Sequence, residues 1–209
     1  MDRNGDYSDY LTIIKFAVEN ISKVKSVDGI ISCFQNSIED ITDRDELHMA
    51  QLISMNIPGH ENYLFKFKEN CSSFGEFSVD FIPTNPEEFT RNGIRALGGL
   101  TTEPLFDQKQ LANFRVQLFA DGLLSFTKLR CKVIFDYIIK QFGEPNQSPI
   151  AKEHAKFLEE TCGTEINCWH FQKEEKDYLI TFYFFRDPNN IRSYASFSIS
   201  LVFQNKDRY

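Results

Sequence analysis

Four side chains able to ligate a soft cation or pass a proton fall within seventeen positions: His154, Cys162, Cys168 and His170. Cys168 and His170 stand two apart on an expected strand, so strand alternation puts both on one face. His154 belongs to the helix before that strand and Cys162 to the end of that helix, and a tetrahedral Zn²⁺ would take two imidazoles and two thiolates from such a set. The spacing, however, contains neither a CxxC nor an HxxxH pair, which would bring ligands together locally. The weight falls on four separate residues, and no metal or other cofactor is expected.

A thiol nucleophile is the second chemistry these residues suggest, with Cys162 or Cys168 attacking and His154 or His170 as base. No group that would orient the base is identifiable nearby, and no local signature surrounds either thiol. Gly93, Gly98 and Gly99 lack the following Lys-Ser or Lys-Thr and the preceding strand of a phosphate loop. The carboxylate pairs Glu87-Glu88, Glu159-Glu160 and Glu174-Glu175 are sequence neighbours, whose side chains diverge on a helix or a strand. Glu174-Glu175 reads instead as part of a polar hairpin loop, Gln172 to Asp177, and Trp169, the lone tryptophan, as a core or sheet-edge aromatic.

Two surface features suit recognition better than catalysis. Residues 1–50 hold ten acids against five bases, with Glu39, Asp40, Asp43, Asp45 and Glu46 clustered, and such a cluster favours a basic protein partner. The row Tyr194, Ser196, Ser198 and Ser200 would form a flat hydroxyl face that a partner could cover. Asn189-Asn190-Ile191-Arg192 would sit at a hairpin tip beside it.

The elements that must position these residues are best marked in the last third. Tyr178 to Phe185 is apolar on both faces, as in a central strand. Tyr194 to Phe203 alternates, placing Ala195, Phe197, Ile199, Leu201 and Phe203 on a buried face and the serines on a wet one. Earlier, residues 8–25 form an amphipathic helix with Ser8 as N-cap, and Ile30 to Ile41 repeat the pattern in a second helix ending before the acidic cluster. A short third helix is expected around Asp45 to Ile53. Alternation at Tyr63, Phe65, Phe67 and at Phe77, Val79, Phe81 predicts a hairpin, and Phe114 to Ala120 another strand. Apolar residues nearly encircle Ser125 to Phe142, predicting a largely buried helix that Gly143 and Pro145 terminate. Ser148-Pro149 then starts a final helix that ends at Gly163, and Asn167 to Phe171 is a short strand. The two strand-rich stretches, 62–82 and 166–203, are loosely alike in texture, so the sheet could be pseudo-duplicated.

This order predicts an α+β fold: N-terminal helices, a mostly antiparallel sheet with helices packed on one face, and a C-terminal strand meander. One domain over 1–209 is expected, with 83–110 as the stretch where a seam could fall. Twenty-one Phe, eight Tyr and one Trp supply a large apolar core. A net charge of −7 disfavours nucleic acid as a partner, since backbone binding needs a basic footprint. No apolar run reaches the length of a membrane helix. The start, Met1 to Asp6, lacks a secretory signal, so a cytoplasmic location without membrane attachment is expected. Five scattered Cys read as reduced thiols. Oligomeric state is left open.

Lys132 to Phe142, the break Gly143-Glu144-Pro145, Cys168-Trp169-His170 and the final strand pair together resemble small bacterial α+β proteins, some of them inhibitors or toxin-immunity proteins. The resemblance covers about a third of the chain and transfers no residue role. The reading that follows is a non-catalytic, cytoplasmic protein-binding module, of the immunity or inhibitory kind, occluding a basic partner. The alternatives are a metal- or thiol-dependent enzyme centred on His154, Cys162, Cys168 and His170, and an assembly subunit of a phage or secretion apparatus.

Overall fold

The computed structural model describes residues 8–34, 38–43, 61–67, 76–84, 109–120, 124–145, 147–162, 165–186 and 193–202. Along the described chain come α1 (Ser8–Asn20), α2 (Val27–Phe34), β1 (Ile38–Asp43), β2 (Glu61–Phe67), β3 (Glu76–Pro83) and β4 (Lys109–Ala120). They are followed by α3 (Leu124–Phe142), α4 (Pro149–Cys162), β5 (Ile166–Lys173), β6 (Lys176–Arg186) and β7 (Ser193–Leu201). The fold is α+β, as the sequence predicts.

All seven strands join one antiparallel sheet in the order β1-β2-β3-β4-β7-β6-β5. Two meanders meet where β4 pairs with β7. The first walks from the outer edge to the centre, α3 and α4 carry the chain to the opposite edge, and β5, β6 and β7 walk back. Each meander follows a pair of helices, which gives the two stretches of similar texture their physical form.

Alternation puts Phe65, Phe77, Val79, Phe114, Val116, Phe197, Ile199, Ile180 and Phe182 on one sheet face, all buried. Against them pack Tyr10, Ile14 and Ala17 of α1, Ile21 just after it, Ile30 of α2, and Cys131, Ile134 and Ile138 of α3. The rings of Phe65 and Phe77 stack at 4.7 Å, and those of Phe77 and Phe114 at 5.1 Å, so an aromatic row crosses three strands. Such offset contacts add about 0.5–1.5 kcal/mol beyond burial. Lys173, at the end of β5, donates from Nζ to the carbonyls of Val18 and Glu19 at 3.1 and 2.6 Å, placing a cation on carbonyls that end α1.

Several local expectations change. The apolar spacing of Ile30 to Ile41 fits a helix, but α2 stops at Phe34 and Ile38–Asp43 is strand β1, pairing with β2. Hydrogen bonds along the open side of β2 outweigh a helical periodicity carried by β-branched Ile38, Ile41 and Thr42. The helix expected at 45–53 and most of the 83–110 stretch lie outside the described residues.

α3 is covered on one side only, because it forms an outer layer over the sheet; Leu129 stays 67% exposed. α1, α2 and α3 share the expected face, whereas Ala151 and Ala155 of α4 pack with Ile166, Cys168 and Leu179 in a second, smaller core. Leu179 alternates with the buried Ile180, so α4 covers the other face beside β5 and β6. The N-cap is as expected: Ser148 Oγ accepts from the Ala151 amide at 3.0 Å.

Candidate functional site

Cys168 and His170 do share a sheet face, but each is committed to its own partner. Cys168 is fully buried and its Sγ lies 3.9 Å from Thr181 Oγ1. Burial pushes the thiol up to about 11, against the lowering effect of the Thr181 hydroxyl and with a small push from Glu159. A thiol so placed stays protonated at neutral pH, the reverse of what activates a nucleophile. His170 Nε2 is 2.9 Å from Asp177 Oδ1, on the strand that follows across the hairpin.

His154 is half-buried on α4, where burial holds its pKa below the ordinary imidazole value. Cys162 closes α4, and its side chain lies outside the described residues. Among the described residues no three His, Cys, Asp or Glu side chains gather closely enough to hold a metal ion.

The serine row is placed differently from the solvent-facing row expected. Ser196 is 1% and Ser198 9% exposed, because β7 lies inside the sheet between β4 and β6, with larger cross-strand neighbours such as Arg115 and Tyr183 on either side. The side chain of Tyr194 and the tip residues 189–192 lie outside the described residues. Of the acids, Glu39, Asp40 and Asp43 fall on β1, an outer strand, with Asp40 opposite Lys66 and Asp43 opposite Tyr63. Asp45 and Glu46 lie outside the described residues.

A constellation not visible in the sequence runs across four strands of the face that α1, α2 and α3 leave free. Asp80 of β3 accepts from Asn62 Nδ2 of β2 at 2.5 Å through Oδ1, and from Asn113 Nδ2 of β4 at 2.7 Å through Oδ2. Ser200 Oγ of β7 then donates to Asn113 Oδ1 at 2.9 Å. Each residue stands directly opposite the next. One row along, Leu64, Ser78, Arg115, Ser198 and Thr181 are likewise in register, and the Arg115 side chain is exposed. The only advance signal was the polar phase of each strand's alternation; which polar residues meet depends on register, including a bulge between Asp80 and Phe81.

Comparison of the chain with protein families, with curated proteins and with solved structures finds no match. Among the described residues no helix is long and apolar enough to cross a membrane.

Proposed function

We propose that this chain is a non-catalytic protein-binding module that engages a basic partner through the acidic outer strand β1, acting by occlusion in the manner of an inhibitory or immunity-type protein. One observation carries the reading: Glu39, Asp40 and Asp43 lie on a strand that has a single neighbour in the sheet among the described residues. An outer strand offers unpaired backbone donors and acceptors on its far side. Carboxylates alongside them speed encounter with a basic surface and discriminate against acidic ones.

The test is affinity capture with the full chain and with a Glu39→Lys/Asp40→Lys/Asp43→Lys variant, followed by mass spectrometry across a salt series. The reading expects a basic protein captured by the native chain, released as salt rises, and missed by the variant, whose circular dichroism is unchanged. Capture that ignores salt, or that the variant reproduces, would overturn it.

A further inference from the structure

The geometry points to an oxyanion site on the sheet face opposite α1, α2 and α3, built from Arg115, Ser78 and Ser198 with Ser196 beside them, that takes a phosphate group. Arg115 on β4 stands directly between Ser78 of β3 and Ser198 of β7. Ser196 lies one alternation further along β7, on the diagonal from Arg115.

These groups are unused. Arg115 makes no ion pair and no side-chain hydrogen bond among the described residues, and the same holds for the hydroxyls of Ser78 and Ser198. Ser196 Oγ is sealed from solvent and has no hydrogen-bond partner. A buried hydroxyl left unsatisfied lowers stability, which is the position of Ser196 at 1% exposure. Asp80, two residues from Ser78 along β3, has both oxygens engaged by Asn62 and Asn113, so amide donors offset its charge toward an arriving anion; Glu76, two residues the other way, stands opposite Lys66.

The donor set selects the ligand class. A guanidinium fork flanked by the hydroxyls of Ser78 and Ser198 offers more N–H and O–H groups than the two oxygens of a carboxylate can absorb, and suits the tetrahedral array of a phosphate. Lys66 is exposed on the same face, opposite the β3 position two beyond Ser78, and adds long-range attraction only. The site does not depend on the β1 reading.

The experiment is a ¹⁵N–¹H titration of the full chain with inorganic phosphate and, separately, with O-phosphoserine, using acetate for comparison. Saturable shifts are expected at the amides of Ser78, Arg115 and Ser198 with both phosphates and far weaker ones with acetate. Arg115→Gln should weaken binding about tenfold, Ser78→Ala about threefold, and Lys66→Gln less than about twofold. Tighter binding of O-phosphoserine would identify a phosphorylated side chain as the source, and equal binding a free phosphate. The site is overturned if no shift saturates, if acetate binds as well as phosphate, if Arg115→Gln binds like the native chain, or if Lys66→Gln and Arg115→Gln weaken binding equally. All three variants alter exposed or half-buried side chains, and the same spectra report whether the fold is kept.

Discussion

The indole Nε1 of Trp169 donates to the carbonyl oxygen of Gly143 across 2.9 Å, tying β5 to the residue that ends α3. Gly143 sits at φ 79°, in the left-handed region, and its amide closes the last helical turn on Ile139 at 2.8 Å. The helix stop and the lone tryptophan are thus one device. It fixes where the chain leaves α3 relative to the sheet edge.

Trp169→Phe keeps an aromatic against Phe135, whose ring centroid lies 5.7 Å away, but leaves the Gly143 carbonyl unpaired. The expected loss is about 1 kcal/mol, against about 3–5 kcal/mol for Trp169→Ala. Gly143→Ala should cost about 1–2 kcal/mol from the left-handed backbone alone. Urea midpoints read all three, and equal losses for Phe and Ala at position 169 would show that the hydrogen bond and the packing were wrongly separated.

Glu174 and Glu175 form the two-residue turn between β5 and β6 with φ of 50° and 63°, a backbone that favours Asn-Gly. Replacing the pair by Glu174→Asn with Glu175→Gly should stabilise the chain by about 1 kcal/mol or more, seen as a higher melting temperature. A lower one would mean that the glutamates contribute contacts exceeding the strain.

Thiol reactivity should divide by burial. Burial pushes Cys131 up to about 12, opposed by Arg130, and Cys168 up to about 11, while Cys33 is exposed. Iodoacetamide at mildly alkaline pH, with sites mapped by peptide mass spectrometry, should label Cys33 readily and spare Cys131 and Cys168 until denaturant is added. Early labelling of Cys168 would remove it from the second core.

His154 sets an acid-side dependence. Its folded pKa is held below the unfolded value, so the unfolded chain takes the proton first as pH falls. The stability it permits is complete above about pH 6.5 and declines as pH drops through that value toward the folded pKa. His154→Gln should flatten this part of the melting-temperature profile; parallel declines in variant and native chain would assign it elsewhere.

Asp80→Ala should destabilise by about 1–3 kcal/mol, because it leaves the Asn62 and Asn113 amides without their shared acceptor. Ser200→Ala removes one outer bond of the ladder and should cost about 1 kcal/mol or less. Chemical denaturation separates the two, and a Ser200→Ala loss equal to that of Asp80→Ala would show that the ladder does not centre on Asp80.

Where a feature depends on residues close in sequence, the chain could be read directly. The α3 stop at Gly143, the Ser148 cap, the β5–β6 loop and the phases of β2, β3, β6 and β7 all belong to that group, since rotamer, capping and periodicity preferences act over a few residues. The shared face of Cys168 and His170 was readable for the same reason, whereas their separate partners, Thr181 and Asp177, were not. Ile38–Asp43 misled because an apolar spacing compatible with a helix says nothing of the open edge of β2 waiting beside it.

By itself, then, the amino-acid order determined the α+β class, most of the strands and helices and their buried faces, because alternation and helical period are local properties of a chain that must bury one side of each element. Tertiary structure alone decided that β7 lies inside the sheet between β4 and β6, that Ser196 and Ser198 are buried, that α4 covers the second face beside β5 and β6, and that Asn62, Asp80, Asn113 and Ser200 line up with Arg115 in the next row. Those outcomes rest on strand order and register between segments far apart in the chain, where a one-residue slip would exchange the two faces and no neighbouring residue records the choice.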